Sequence, residues 1–184
     1  MAIPTLNAVG FCAHYSEQGD WAFDYALKLS RSHSVQLNVF HFLSDPYGEE
    51  DQAIERLHSE ERARLAIQKE KELRMYYDNR AGDYLDVGFR LCEHAEWVEL
   101  HRCLLVREFQ VLVLGYIRHG VKFGSGSIED FAESFISPVI LVGPEKRTQL
   151  YLNSRAILIS DQLSLDDFQW KPLAEILPKT NIQT

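Results

Sequence analysis

Between residues 115 and 127 the chain sets Gly115, Gly120, Gly124 and Gly126 among Arg118, His119 and Lys122, and closes on Ser125 and Ser127. Glycine keeps such a loop free of side-chain bulk, and a guanidinium fork matches the oxygen spacing of a phosphate. Ser127 is of the type that caps a helix, here one beginning near Ile128, and amides at a helix start attract anions. The chemistry these residues support is the cradling of a nucleotide or another phosphate ligand. A tight solvent-exposed turn, with its basic residues merely softening the acidity, is the alternative.

A second set of chemistry-bearing residues is Cys12 and His14, His41, and Cys92 and His94. Sulfur and imidazole ligands of this kind would suit zinc. Cysteine is also a common apolar filler, and no C-x-x-C pair is present to favour the metal. Alternation along a strand would send Cys12 and His14 to one face. A nucleophilic role for Cys12, Cys92 or Cys103 would need a positioned base and a depressed pKa.

The elements that must hold these residues are legible as alternating strands and helices. Val111–Leu114 and Val139–Val142 are continuous apolar runs, as parallel strands covered on both faces require. Strands are also expected at 8–13, 35–43 and 84–91. Glu17–Arg31 carries Trp21, Ala22, Tyr25, Ala26 and Leu29 at helical spacing, with Ser16 as its cap. Residues 50–80, rich in Glu, Arg, Lys, Gln and Ala, read as one long or broken outer helix with a thin apolar face. A further helix is expected over 95–109.

That alternation predicts an α/β fold: an open, doubly wound, mostly parallel five-stranded sheet with ligands at the carboxyl ends of the strands. Residues 1–144 would form this domain. Residues 145–184 are a C-terminal extension, with a short strand near Ala156–Ile159 and a weak helix over Leu165–Leu177. The extension packs on the same domain or on a dimer partner, either capping the edge strand or exchanging between protomers.

The 184 residues suffice for a substantial core without disulfides, and three cysteines point to a reduced intracellular protein. A formal net charge of −8 speaks against nucleic acid as a partner. No apolar run approaches the ~20 residues that span a bilayer, which with the cysteine usage makes a cytoplasmic protein the expectation.

Over residues 6–144 the order of motifs resembles the universal stress protein family. The resemblance rests on Leu37-Asn38-Val39-Phe40-His41, on Cys92 to Val98, on Phe109 to Gly115, on Gly126-Ser127, and on Ser137 to Val142. It identifies the chain as a divergent member with an altered ATP-binding loop. Nucleotide-holding members carry Gly-x-x-Gly, nine residues, then Gly-Ser or Gly-Thr. Here Arg118 stands at the second glycine, ten residues separate Gly115 from Gly126, and His14 stands where the family has Asp.

The resemblance implies the adenine nucleotide alpha hydrolase-like sheet and a stress-response or regulatory module. It implies ATP, ADP or AMP as ligand, with magnesium if ATP, and no strong catalysis beyond weak ATP hydrolysis. A bound nucleotide would place its phosphates near Gly115, Arg118, Gly124, Ser125, Gly126 and Ser127, and its sugar near His14 and Ser16. No carboxylate is expected at the loop to orient water or hold magnesium. A homodimer pairing through Pro138–Gly143 is also implied. The competing reading is a nucleotide-independent dimeric interaction module.

Overall fold

The computed structural model describes residues 6–43, 56–92, 102, 108–118, 120–124, 126–135 and 137–143, and the backbone of 149–151 and 156–160. In chain order the elements are β1 (Ala8–Cys12), α1 (Glu17–His33), β2 (Gln36–Phe42), α2 (Ser59–Ala81), β3 (Val87–Cys92), β4 (Val111–Gly115), β5 (Lys122–Phe123), β6 (Gly126–Ser127), α3 (Ile128–Ser134), β7 (Val139–Gly143), β8 (Gln149–Tyr151) and β9 (Ala156–Ser160).

Every residue of β1, β4 and β7 is buried, because each strand is covered on both faces. Strict alternation divides their side chains. Phe11, Val113, Ile140 and Val142 face α1 and α2, where they meet Phe23, Leu29, Leu73 and Tyr77. Cys12, Leu112, Leu114 and Leu141 face the other way, toward Phe109, Phe131 and Phe135. Aromatic edges close the first layer, with Phe11 5.4 Å from Phe23 and Phe23 4.6 Å from Tyr77 between ring centroids.

The main sheet runs β3-β2-β1-β4-β7-β9-β8. All neighbours are parallel except β8 and β9, which form an antiparallel pair. The chain therefore builds outward from β1 through β2 to β3, then returns to lay β4 and β7 on the opposite side. That reversal puts the switch point between β1 and β4. The five-stranded parallel core is as the alternation of elements predicts. The extension enlarges it: β9 pairs with β7 from Val139↔Ala156 to Gly143↔Ser160. β9 is the short strand expected at Ala156–Ile159, and it occupies the β7 edge that the resemblance leaves for a partner chain.

Local signals account for the helix limits. Ser16 caps α1 by accepting the Gly19 N–H, Glu17 and Asp20 lie in its positive first turn, and Ser34 ends it in the left-handed region at φ 53°. α2 is long but buries only Leu73, Tyr77 and Ala81, so most of its surface is solvated as its composition requires. Of the helix expected over 95–109 only helical Arg102 and non-helical 108–109 are described, and the start of the charged segment and the Leu165–Leu177 helix lie outside the described residues.

Candidate functional site

β1 ends at Cys12, and the chain leaves the sheet through Ala13, His14, Tyr15 and Ser16. The Ala13 N–H still donates to the Phe40 carbonyl at 2.7 Å, which holds this exit against the end of β2. His14 Nδ1 lies 2.7 Å from Ser16 Oγ, and the same oxygen accepts the Gly19 N–H at 3.0 Å. The α1 cap thereby fixes the His14 ring. Around these residues a cavity of about 170 Å³ opens at the carboxyl ends of β1 and β2, lined by Ala13, His14, Tyr15, His41, Phe42, Leu43 and Lys69.

The cavity is polar on one side and aromatic on the other. Tyr15 and His41 place their rings 6.0 Å apart, and Tyr15 continues into a stack with Tyr77 at 6.3 Å. Burial, followed by the nearby Glu72 carboxylate, holds the Tyr15 phenol above its ordinary pKa, so it stays a neutral hydrogen-bond donor. Lys69 brings an ammonium from α2. For scale, a cavity of ~150 Å³ takes one benzene ring. The volume here fits one planar ring system and little more.

Gly115 ends β4 beneath this exit. A Cβ there would lie 2.9 Å from the Gln18 carbonyl carbon and oxygen and 3.0 Å from the Gly19 nitrogen. Glycine is what lets the first turn of α1 rest on β4 at the switch point. Beyond it, the glycine-rich stretch folds as a hairpin: Lys122 pairs with Ser127 and Phe123 with Gly126, with Gly124 at its turn. Gly120 at φ 71° and Gly124 at φ 65° supply the left-handed backbone. Phe123 anchors the hairpin in the core, its ring 5.0 Å from Phe131.

Ser127 Oγ caps α3 by accepting the Asp130 N–H at 3.1 Å. Glu129 folds back over the loop. Its carboxylate accepts the Gly120 N–H at 3.0 and 3.1 Å and the Tyr116 hydroxyl at 2.8 Å. The expectation that no carboxylate sits at the loop is therefore corrected: the first turn of α3 brings Glu129 and Asp130 there.

No protein-family model matches the chain, and no curated protein matches it. Solved structures do. A hypothetical protein, MJ0577, whose biochemical function was assigned from its structure, aligns at TM-score 0.52 and 12% identity, over 78% of this chain and 99% of that one. The universal stress protein from Archaeoglobus fulgidus aligns at TM-score 0.50 and 17% identity, over 73% and 92%. This chain has the universal stress protein fold. A structure of the universal stress protein from Archaeoglobus fulgidus in complex with dAMP is also similar, at TM-score 0.47 and 16% identity, over 74% of this chain and 96% of that one.

Within the universal stress protein fold of this chain, the site residues named from sequence fall into two groups. His14 and Ser16 are bonded to each other at the cavity, with Gly115 pressed on the turn below them. Arg118 is exposed, Gly124 is at the hairpin tip, and Gly126 and Ser127 form β6 and the α3 cap. Ser125 lies outside the described residues.

Among the described residues the sulfur and imidazole groups do not gather. Cys12 and Cys92 are buried in the layer beneath α3, while His14 and His41 line the cavity and His94 lies outside the described residues. The strand stops at Cys12, so its alternation does not carry to His14. Among the described residues no group of three or more His, Cys, Asp or Glu could hold a metal. Also among them, no helix is long and apolar enough to cross a membrane.

Lys69, Tyr15 and Glu129 escaped the sequence reading. Lys69 is one of many charges on α2, and nothing in its spacing marks it. Glu129 did carry a signal, being an acid two residues past a capping serine, but that is also the commonest way to complement a helix dipole.

Proposed function

We propose that this chain is a universal stress protein-like regulatory module that binds an adenine nucleotide at the carboxyl ends of its central strands. The observation that carries the reading is the cavity of about 170 Å³ at the ends of β1 and β2. It opens at the carboxyl end of β1, the strand that borders the β1–β4 switch point where open α/β sheets hold their ligands, and its size suits one planar ring system. The adenine would lie against the Tyr15 and His41 rings, with Lys69 at its edge. His14 and Ser16 would face the sugar, and the loop around Arg118, Gly124, Gly126 and Ser127 would lie toward the phosphate end. The module signals by the occupancy of this site and not by turnover.

Thermal unfolding with and without adenosine, AMP, ADP and ATP tests the reading. A ligand at 100 times its dissociation constant stabilises the fold by about 2.7 kcal/mol. A rise of several degrees with an adenine compound, lost in Lys69→Ala and His14→Ala, is the expected outcome. No rise with any of the four, each at millimolar concentration, would end the nucleotide reading and leave an interaction module.

A further inference from the structure

Resting on the nucleotide reading above, we infer that Glu129 sets the ligand class of this site, which takes adenosine or AMP in preference to ADP and ATP. The Gly120 amide and the Tyr116 hydroxyl are the groups a phosphate chain would meet beyond Gly115, and both already donate to the Glu129 carboxylate. Ser127 Oγ accepts the Asp130 N–H at the cap of α3. Two of the loop's donors thus already serve a carboxylate of the same chain.

Charge points the same way. Glu129 is half-buried and held by its hydrogen bonds, and exposed Asp130 is its neighbour on the first turn of α3, so a polyphosphate would lie beside one fixed carboxylate and near a second. Exposed Arg118 and Lys122 offset part of that repulsion only through solvent. Tyr116 is held from below, its N–H on the Val142 carbonyl at 2.7 Å, and it is 6% exposed, so the pair cannot swing aside without disturbing the core. The nucleoside end has no such obstacle, because the cavity lies on the α1–α2 side of the strand ends. Adenosine fits that side alone, and AMP adds one phosphate that can stop short of Glu129.

Calorimetric titration of the whole chain with adenosine, AMP and ATP, with and without magnesium, tests the inference. Wild-type protein is expected to bind adenosine and AMP and to bind ATP more weakly than AMP. Glu129→Gln keeps the side-chain shape and removes the charge. It should raise ATP affinity about tenfold relative to adenosine, while Asp130→Asn gives a smaller gain. Wild-type binding of ATP as tight as AMP, or an unchanged ATP-to-adenosine ratio in a folded Glu129→Gln variant, overturns the inference while leaving the nucleotide reading intact. Absence of binding by all three ligands to every variant overturns both. Should Glu129→Gln fail to fold, the wild-type ranking of ATP against AMP decides alone.

Discussion

At the scale of single residues, the site depends on glycines whose missing side chains let backbones touch. A Cβ on Gly19 would lie 1.9 Å from the His14 carbonyl oxygen, and one on Gly115 would meet the Gln18 carbonyl at 2.9 Å. Neither neighbour is a flexible side chain, so the β1–α1 turn must shift in both variants. Gly19→Ala and Gly115→Ala should each cost about 1–3 kcal/mol in urea unfolding and weaken ligand binding at the cavity. Gly120→Ala is the contrast. It meets nothing within 4 Å, but its φ of 71° makes a side chain costly by about 1–2 kcal/mol, and the cavity should be untouched. Gly115 and Ser16 were legible from their places at strand and helix ends. Gly19 was not, because its constraint is a contact with a carbonyl five residues earlier that spacing alone does not reveal.

At the scale of elements, α2 is attached by very little, and the attachment is apolar. Its buried stripe is Leu73, Tyr77 and Ala81, one residue per turn. Tyr77 packs against Phe23 at 4.6 Å and Phe11 at 5.5 Å, and it also stacks with Tyr15 at the cavity. The polar ties lie outside that stripe: Arg80 grips Asp24 at 2.8 and 2.9 Å, and the Tyr76 hydroxyl donates to Asp20 at 2.6 Å. Exposed pairs of this kind contribute about 0.2–1 kcal/mol, whereas truncating a buried aromatic costs about 3–5 kcal/mol. Tyr77→Ala should therefore strip hydrogen-exchange protection from 59–81 and open the cavity, while Arg80→Ala leaves both nearly as they were. That the face is thin was readable in the composition of residues 50–80, rich in Glu, Arg, Lys, Gln and Ala. The residue that matters most was not, because Tyr76 and Tyr77 are equivalent until the sheet decides which one turns inward.

At the scale of the whole molecule, the question is which sheet edges stay open to a second chain. β7 is five residues long, apolar and fully buried, and β9 covers its free side along its whole length. Beyond β9 lies β8, only three residues long and antiparallel to it. A short outermost strand is a poor template for pairing, so the extension exchanges a long apolar edge for a blunt one. The net charge of −8 adds repulsion between copies. A homodimer through Pro138–Gly143 would require β9 to leave. Removing residues 148–184 should do this, giving a chain whose light-scattering mass rises with concentration and whose 139–143 amides exchange quickly at high dilution. In the full chain the same amides should be protected even when dilute, because the bonds to β9 form within one molecule. If the truncated chain keeps a concentration-independent mass and the full chain's stability, the extension is not an edge cap, and the partner surface lies elsewhere on the fold.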